Sequence, residues 1–436
     1  MSKHVHEIRD PIHIFVRLDS DERAILDSRP FQRLRHIHQL ALTYLLYPAA
    51  THKRFEHSLG VMELAGRVFD IVTSPLNVTD QFGNSLSNLS NPDALRYWRR
   101  VVRIAALCHD MGHLPFSHAA EKELLPPGWN HERLTREIIH SPEMEQLFHR
   151  MTPPLRPEDI EKLAVGQKEA KDLSFSTWET ILSEIIVGDA FGVDRMDYLL
   201  RDSHHSGVAY GRFDHFRLID TLRILPSGDR QSGQPTLGVE EGGLHSAEAL
   251  SLARYYMYTQ VYFHPVRRIY DIHLKDFLAA DLPSGKFPTD LELHLQNTDN
   301  EVNARILSAA RDSAGQGHDA ARRIVGHKHY KTLYQRHPDD VRVNPNAGKA
   351  VFDAASGRFG TENVRHDSYT QKRDPLLFPV LCKDGRVVTA NQLSEVLQHL
   401  TVVAVDFVFI KPDLLKEATA WLQANREQII QPPKEQ

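Results

Sequence analysis

The sequence predicts a mainly α-helical fold: a helical core with a small β-hairpin, followed by an α+β carboxy-terminal subdomain. Three observations support this class. Apolar residues recur at helical spacing through much of residues 1–275. Two strand-like runs with Gly and Pro between them, 221–225 and 236–239, predict a hairpin appended to the helices. Short strand-like runs then mix with helical segments over 276–436, so we place a domain boundary at residue 275.

The composition narrows the class of protein. The 436 residues are 41% apolar and 25% charged, with a formal net charge of -5, which suits a globular fold and removes the simplest electrostatic case for nucleic-acid binding. The net charge leaves room for a local basic patch, so nucleic acid stays a possible partner that the sequence does not indicate. Cys108 and Cys382 form no disulfide or zinc-knuckle pattern. No apolar run reaches the roughly 18 residues of a membrane helix, and we expect a cytoplasmic protein.

Periodicity and capping residues predict helices in the amino-terminal half. A helix is expected over 31–40, where apolar side chains share one face, and a second within 52–61. Asn130 can cap a third helix that carries His131 and Glu132 in its first turn.

Another helix is expected to be capped by Ser246 and to run through Tyr262. Along it Arg254, Tyr258 and Tyr262 repeat at a spacing of four residues, so that they line up on one side. The guanidinium can grip a phosphate, and a phenol can stack on a sugar or a base. Tyrosines taken singly are more often found in helix interfaces, and both interpretations stay open.

The carboxy-terminal third has a mixed character. Helices are expected at 291–296 and 303–310, followed by a polar, Gly-rich and basic segment over 338–373 that we predict to be mobile. Strand-like runs between 378 and 410 and a terminal helix from about Pro412 complete the α+β pattern.

A dense polar cluster lies at the end of a helix predicted from about Ala94. Three histidines and an aspartate fall between His109 and His118, after an apolar stripe that predicts a buried helix. If the helix continued one more turn, His109 and His113 would share a face. A single histidine at a helix end is usually satisfied by carbonyl groups, whereas an adjacent His-Asp pair with two further histidines favours chemistry.

A second polar stripe is expected along another helix. Asp194, Tyr198 and Asp202 repeat at a spacing of four residues. The stripe is either the wall of a pocket or a solvated face whose acids pair with Arg195 and Arg201, and the sequence favours neither.

Four side chains from three helical segments are candidate metal ligands: His57, His109, Asp110 and Asp194. Imidazole and carboxylate without thiolate suit Zn, Mn, Fe, Ni or Mg. Such an ion lowers the pKa of water toward roughly 7 and polarises phosphorus. A leaving oxygen also needs a proton. The residues placed to supply or orient one are His113, His118, His131 and Glu132.

The order H…HD…D resembles the HD-domain metal-dependent phosphohydrolases. Longer motifs are similar to the deoxynucleoside triphosphate triphosphohydrolase (dNTPase) branch of that family. They are residues 10–13 (DPIH), 31–35 (FQRLR), 54–60 (RFEHSLG), 109–113 (HDMGH) with 115–118 (PFSH), and 194–198 (DRMDY). The resemblance covers most of the chain and is strong over residues 8–275.

The resemblance implies attack of water on the α-phosphorus of a dNTP, with release of the nucleoside and inorganic triphosphate. It implies that the four ligands hold one metal ion, with additional Mg on the triphosphate. His118 resembles the general acid, completed by His113, His131 and Glu132. The implied substrate contacts are Arg54, Arg195 and Arg254 with the triphosphate, Gln39, Tyr198 and Asp202 with the sugar 3′-hydroxyl, and Leu40 and Tyr262 where a 2′-hydroxyl would clash.

The resemblance also implies a homo-oligomer, a dimer or tetramer, with an activating nucleotide at subunit contacts. The matching positions are Asp27, Gln32 and Arg35. The sequence departs from the pattern at two places. Arg195 stands where the best-known relative has Lys, and Ala41 and Leu42 stand where relatives often carry glycine.

Two other functions stay open. One is hydrolysis of another phosphoester, such as a nucleoside monophosphate or an alarmone. The other is a nucleotide- or nucleic-acid-binding regulator without turnover. Because all four ligands and the histidines are present, the sequence favours an enzyme over a regulator.

Overall fold

A computed structural model describes residues 5–78, 86–116, 121–227, 233–370 and 377–431 of the chain. These residues form mainly helices with three small sheets, which confirms the predicted fold class. They divide into two compact units, each built from more than one stretch of chain. The first unit comprises Met1–Met257, Phe287–Val302 and Asp374–Leu400. The second comprises Tyr258–Lys286, Asn303–Arg373 and Thr401–Gln436.

In chain order the helices are α1 Ser20–Leu26, α2 Arg29–Arg33, α3 Arg54–Val72, α4 Pro92–Cys108, α5 Glu121–Leu124, α6 His131–Ile139, α7 Pro142–Arg150, α8 Pro157–Glu169, α9 Thr177–Val187, α10 Val193–Ser206, α11 His215–Asp220, α12 Leu244–Met257, α13 Pro265–Asp281, α14 Leu291–Gln296, α15 Asp299–Arg311, α16 His318–Val325, α17 Pro338–Val343, α18 Ala347–Phe359, α19 Ala390–Leu393, α20 Glu395–His399 and α21 Leu415–Ile430. Within the described ranges, no helix combines the length and apolar content that crossing a bilayer requires.

The strands are β1 Val5–Asp10, β2 Ile14–Asp19, β3 Leu222–Pro226, β4 Pro235–Glu240, β5 Lys331–Gln335, β6 Val364–Thr370, β7 Pro379–Leu381, β8 Val387–Thr389 and β9 Ala404–Ile410. In the first unit β1 and β2 form an antiparallel hairpin, and a four-stranded sheet has the order β3-β4-β7-β8. The antiparallel pair β3 and β4 is the predicted hairpin, and β7 joins it in parallel with β4.

Helices α3 and α4 form the centre of the first unit and pack against each other. In α3 the side chains of Val61, Leu64 and Val68 are fully buried at helical spacing, and each buried side chain of this size contributes about 1.5–3 kcal/mol. Helices α9 and α10 pack on α3 as well. This packing places the first turn of α3, the residues after α4 and the start of α10 next to one another.

Two glycines allow close approaches around this centre. At Gly60 in α3, a Cβ atom would lie 1.9 Å from Asp197 Oδ1 on α10. At Gly112, after α4, a Cβ atom would lie 2.2 Å from the carbonyl oxygen of His131 on α6. Real Cβ atoms do not approach other atoms so closely, so both sites need glycine in this packing.

The second unit is built on an antiparallel sheet of order β5-β9-β6. Val351 and Ala355 of α18 and Leu422 of α21 are buried in one core cluster with Val408 of β9. The prediction of a mobile segment over 338–373 is therefore wrong for its described residues, which form α17, α18 and β6. Buried apolar residues at helical spacing anchor α18 in spite of its many small and polar neighbours.

The helix predicted over 31–40 is wrong in its second half. Helix α2 ends at Arg33 and a single 3₁₀ turn follows, after which Ile37 is extended, with φ -115° and ψ 116°. His38 forms an antiparallel bridge with Lys53. Hydrogen bonds from Arg54 N to Ile37 O and from Gln39 N to His52 O, both 3.0 Å, hold this pairing. Backbone bonds between distant segments outweigh the local helical pattern.

The helix predicted from Ser246 through Tyr262 also differs. Helix α12 begins earlier, at Leu244, and ends at Met257, and Tyr258–Tyr262 form a π-helical turn. A π turn has i→i+5 hydrogen bonds and so more residues per turn than an α turn, yet the rings of Tyr258 and Tyr262 remain neighbours, with centroids 5.0 Å apart.

Candidate metal centre and acid-base cluster

The four predicted metal ligands converge in the first unit. His57 lies in the first turn of α3, His109 and Asp110 follow α4, and Asp194 lies in the first turn of α10. Ligand atoms of His57, His109 and Asp110 all lie within 4.8 Å of one another. Asp194 Oδ1 lies 3.0 Å from His57 Nε2 and 3.5 Å from His109 Nε2. Residues up to 137 positions apart thus present two imidazoles and two carboxylates to one point.

Hydrogen bonds orient both imidazoles of the cluster. His57 Nδ1 donates to Asp197 Oδ2 at 2.8 Å, and His109 Nδ1 donates to the carbonyl oxygen of Ala106 at 2.8 Å. Each bond assigns the Nδ1 proton and turns Nε2 toward the carboxylates, which is the usual arrangement of a metal-ligating histidine.

His109 Nε2 tests whether a metal ion fits this cluster. It is buried and makes no hydrogen bond to a described residue, although it lies 3.3 Å from Asp110 Oδ1. A buried polar atom without a partner is costly. Together with the histidine and carboxylate donor set, this orphaned nitrogen fits a divalent metal ion.

The charges in the cluster shift the pKa values of its members. Burial alone would raise the pKa of Asp110, but the positive charge of Arg54 and the neighbouring imidazoles of His109 and His113 hold it well below its ordinary value. Burial alone would lower the pKa of His57, but hydrogen bonds to Asp194 and Asp197 raise it to about 10. Without a metal ion, both ring nitrogens of His57 therefore carry a proton at neutral pH.

Asp197 is a buried hub that the sequence argument did not assign. Besides His57, its carboxylate accepts hydrogen bonds from His13 Nε2 at 2.6 Å and from Arg201 Nε at 2.8 Å. Arg201 also donates to Asp10 Oδ2 at 2.8 Å. Side chains of all of these residues are at most 5% exposed. Its position three residues after Asp194 in the same motif was the only signal for this role.

The same bonds bear on the polar stripe of α10. Arg201 is buried and bonds to Asp197 and Asp10, so it does not form a solvated face with the stripe. Asp202 is buried too, and its Oδ1 bonds to His52 Nε2 at 2.7 Å. The solvated-face interpretation is therefore wrong for this half of the stripe.

A pair of histidines lies beside Asp110. His113 Nε2 is 3.1 Å from Asp110 Oδ1, and the ring of His113 stacks on that of His131 with centroids 3.9 Å apart. His131 Nδ1 lies 2.8 Å from Glu121 Oε1 and 3.2 Å from Glu132 Oε2. Like Asp197, Glu121 is a carboxylate that orients a histidine of the site and that the sequence did not reveal.

The two stacked imidazoles prefer different protonation states. Burial and the charges of Arg54 and His131 hold the pKa of His113 well below its ordinary value. Burial alone would lower the pKa of His131 as well, but the hydrogen bond to Glu121 raises it. The pair therefore places an imidazole with a lowered pKa beside one with a raised pKa, an arrangement that separates base from acid. The predicted general acid His118 lies outside the described residues.

The predicted substrate contacts occupy varied positions. Arg54 is buried and forms an ion pair with Asp110. Arg195 Nη1 donates to the carbonyl oxygen of Gly188 at 3.2 Å. The remaining contacts of the first unit are half-buried Gln39, Tyr198 and Arg254, and buried Leu40 and Asp202. Tyr262 belongs to the second unit, where its ring contacts Tyr258 with centroids 5.0 Å apart.

The three residues predicted for an activating nucleotide lie around α2. Gln32 Oε1 accepts a hydrogen bond from Arg35 Nε at 2.8 Å, and the Arg35 guanidinium lies 3.5 Å from the centroid of the Phe55 ring. Asp27 follows α1 and accepts from Arg23 Nε at 3.3 Å. Gln32 and Arg35 are thus joined.

Models of known families match the part of the sequence that carries this cluster. The family model "HD domain" covers residues 54–201, which include all four metal-ligand candidates, and the model "HD associated region" covers residues 213–354. The chain belongs to the HD-domain family. HD domains are metal-dependent, and His57, His109 and Asp110 form a cluster that can bind a metal ion.

Individual relatives match long stretches of the chain. A crystal structure of a hypothetical protein from Aquifex aeolicus superposes with a TM-score of 0.78 at 32% identity, covering 96% of this chain and 100% of that one. The uncharacterized protein MJ1154 of Methanocaldococcus jannaschii is 36% identical over 63% of this chain and 49% of its own. The deoxynucleoside triphosphate triphosphohydrolase SAMHD1 of Gallus gallus is 29% identical over 82% of this chain and 60% of its own. The HD-domain chain thus spans about half to three fifths of these two relatives' length.

Proposed function

We propose that this HD-domain protein hydrolyses deoxynucleoside triphosphates to the deoxynucleoside and inorganic triphosphate. The observation that carries the proposal is the convergence of His57, His109, Asp110 and Asp194 beside the stacked pair of His113 and His131. This convergence places a metal-ligand set next to an acid-base pair. A metal ion can activate water and neutralise phosphate charge, and an acid can protonate an alkoxide leaving group. Relatives named deoxynucleoside triphosphate triphosphohydrolase support the choice of substrate.

His57, His109, Asp110 and Asp194 would hold the metal ion, which when bound activates water and neutralises phosphate charge. The ion is one of Mn, Fe, Zn, Ni or Mg, with additional Mg on the triphosphate. Asp197 keeps His57 oriented by accepting its Nδ1 proton in a hydrogen bond. Arg54 bonds to Asp110 and adds positive charge next to the ligand set.

The histidines of the site supply the proton that the leaving oxygen needs. Breaking the bond between the α-phosphorus and the 5′-oxygen leaves an alkoxide, which needs a proton. His131 favours its protonated form because the hydrogen bond to Glu121 raises its pKa. Through the stacked ring of His113 it lies close to Asp110. In our proposal His118 delivers the proton, and His113, His131 and Glu132 complete the catalytic cluster.

Substrate contacts follow from the placement of charged and polar groups. We assign Arg54, Arg195 and Arg254 to the triphosphate, because guanidinium groups bind phosphate oxygens bidentately. Gln39, Tyr198 and Asp202 are assigned to the sugar 3′-hydroxyl. We assign Leu40 to the exclusion of a 2′-hydroxyl.

The assembly and its regulation are part of the proposal. We propose a homo-oligomer, a dimer or tetramer, that acts in the cytoplasm. An activating nucleotide would bind at Asp27, Gln32 and Arg35, where Gln32 and Arg35 are already joined.

A product assay tests the proposed reaction. Purified protein supplied with Mn or Mg and each dNTP should release triphosphate, separated from orthophosphate by ion exchange. Asp110→Ala should abolish the release, and Asp290→Asn, an exposed residue of the same unit that caps α14, should not change it. Release of orthophosphate alone, or turnover of a nucleoside monophosphate or an alarmone only, would replace this substrate with another phosphoester. Tight nucleotide binding without turnover would identify a regulator.

A further inference from the structure

A buried carboxylate outside the metal centre joins two segments of the candidate active site. Asp299 begins α15, and its side chain is fully buried within the first unit. Its Oδ2 accepts hydrogen bonds from His38 N at 2.8 Å and His38 Nδ1 at 2.6 Å. Its Oδ1 accepts one from Phe116 N at 2.7 Å. One carboxylate thus holds the residue before Gln39 and the segment that follows His113.

The segment at Phe116 needs support of this kind. Phe116 is fully buried and has a φ of 57°, in the left-handed region that large side chains rarely adopt. Such a conformation is strained and persists only where its surroundings fix it. The bond from Phe116 N to a buried carboxylate is a charge-assisted bond and supplies that fixing interaction.

His38 extends the brace to the first turn of α3. Its Nδ1 donates to Asp299, which leaves Nε2 to accept from Lys53 Nζ at 2.6 Å. Lys53 immediately precedes Arg54. The His38 ring is also parallel to that of Phe116, with a 6° angle and centroids 6.4 Å apart. Asp299 therefore connects the segments that carry Gln39, Arg54 and His113.

A second contact ties the same region together. Arg33 is buried and donates from Nη1 to the carbonyl oxygen of His113 at 2.8 Å and from Nε to that of Asn297 at 3.0 Å. The residues around 297–299 are thereby joined twice to the segment 113–116.

We propose that Asp299 is a positioning residue of the active site, which aligns the sugar-binding segment at Gln39 with the histidine segment at 113–116. This role rests on the proposed function for its substrate, but not for its geometry. Among the described residues, Asp299 makes no hydrogen bond or ion pair with a metal-ligand or substrate-contact candidate, so its loss should spare the metal. Turnover should fall because the two segments lose their alignment. A misplacement of about 1 Å between reacting groups costs up to about a hundredfold in rate.

The test compares the full-length Asp299→Asn variant with the wild type and with Asp290→Asn. Asp290 lies in the same stretch of the first unit and is exposed, and among the described residues its side chain bonds only to the backbone of α14. Asn keeps one acceptor oxygen at position 299, but its NH2 group takes the place of the other oxygen. The NH2 group then faces either Phe116 N or the two donors of His38 and cannot accept a hydrogen bond from them. The readouts are bound metal per chain, hydrogen exchange of peptides containing His38 and Phe116, and kcat and KM for a dNTP.

We expect Asp299→Asn to retain its metal, to exchange both amides at least about tenfold faster, and to lose about tenfold to a hundredfold in kcat. KM should change less than kcat, and Asp290→Asn should match the wild type. Unchanged kcat or unchanged exchange would overturn the proposal. Loss of metal from folded protein would overturn it too, because Asp299 would then support the metal centre itself.

A second variant decides the matter if Asp299→Asn fails to fold. His38→Phe keeps the ring against Phe116 but removes the bond from Nδ1 to Asp299, and it should lower kcat several-fold with metal retained. An unchanged kcat for His38→Phe would reject the brace. If the wild type releases no triphosphate, the proposed function fails, and the positioning role is then judged from the amide exchange and from the phosphoester that the protein does hydrolyse.

Discussion

Asp197 should control metal affinity without touching the metal ion. Its carboxylate accepts hydrogen bonds from His13 at 2.6 Å, from His57 at 2.8 Å and from Arg201 at 2.8 and 3.0 Å. Asp197→Asn removes the charge that these buried donors share. Loss of such a supporting contact typically costs tenfold to a hundredfold in metal affinity, which is about 1.4–2.7 kcal/mol.

The variant should also lose folding stability, so it needs a matched control. Asp10→Asn provides one, because Asp10 bonds to Arg201 but not to His57. Each variant weakens a buried ion pair of Arg201, and we expect each to lose about 3 kcal/mol in unfolding free energy. Only Asp197→Asn should also release metal, measured by competition with a chelator at a temperature where both variants are folded. Equal metal affinity in the two variants would refute the role of Asp197.

Further predictions follow from three single positions. Ala41 has a φ of 48°, so Ala41→Gly should raise the unfolding free energy by about 0.5–1 kcal/mol, and a lower melting temperature would contradict this. Gly60→Ala places a Cβ atom 1.9 Å from Asp197 Oδ1 and should cost about 2 kcal/mol, measured by denaturant unfolding; an unchanged midpoint would show that the helices separate freely. The pKa of His57 is raised from 6.5 to about 10, so metal binding displaces its proton and apparent affinity should rise about tenfold per pH unit between pH 7 and 9, whereas a flat titration would contradict the assignment. For the same reason, the metal-free protein gains stability from His57 below pH 6.5 and loses that contribution as pH rises through 10.

Local signals in the sequence were sufficient for several parts of the fold. Asn130 caps α6 as expected, with its side chain accepting from Arg133 N. The helix before His109 and the hairpin of β3 and β4 also form as predicted. Each of these depends on residues close together in sequence, where periodicity and capping decide the structure.

Contacts between distant segments were beyond the same reasoning. The helical pattern over 31–40 gave way because His38 pairs with Lys53, a residue of another segment. The supporting roles of Asp197, Glu121 and Asp299 depend on which donors lie opposite each carboxylate in the folded chain. An acidic residue reads alike in sequence whether it is a surface charge or a buried hub, and burial makes the difference.

The metal-ligand candidates occupy an intermediate position. The pattern H…HD…D drew attention to His57, His109, Asp110 and Asp194, and the structure brings them together. Their imidazole and carboxylate chemistry, not helical spacing, connected them, because they lie in three separate segments. The helix that would have aligned His109 with His113 ends at Cys108, and His113 instead approaches Asp110 through a turn.

The most direct test of the proposed reaction is hydrolysis of a dNTP in water enriched in oxygen-18, followed by mass spectrometry of the products. Attack of water on the α-phosphorus with cleavage of its bond to the 5′-oxygen places one labelled oxygen in the triphosphate and none in the nucleoside. Wild-type protein loaded with metal should give this result, and Asp110→Ala should give no product. Label in the nucleoside, or a nucleoside mono- or diphosphate in place of triphosphate, would contradict the proposed reaction.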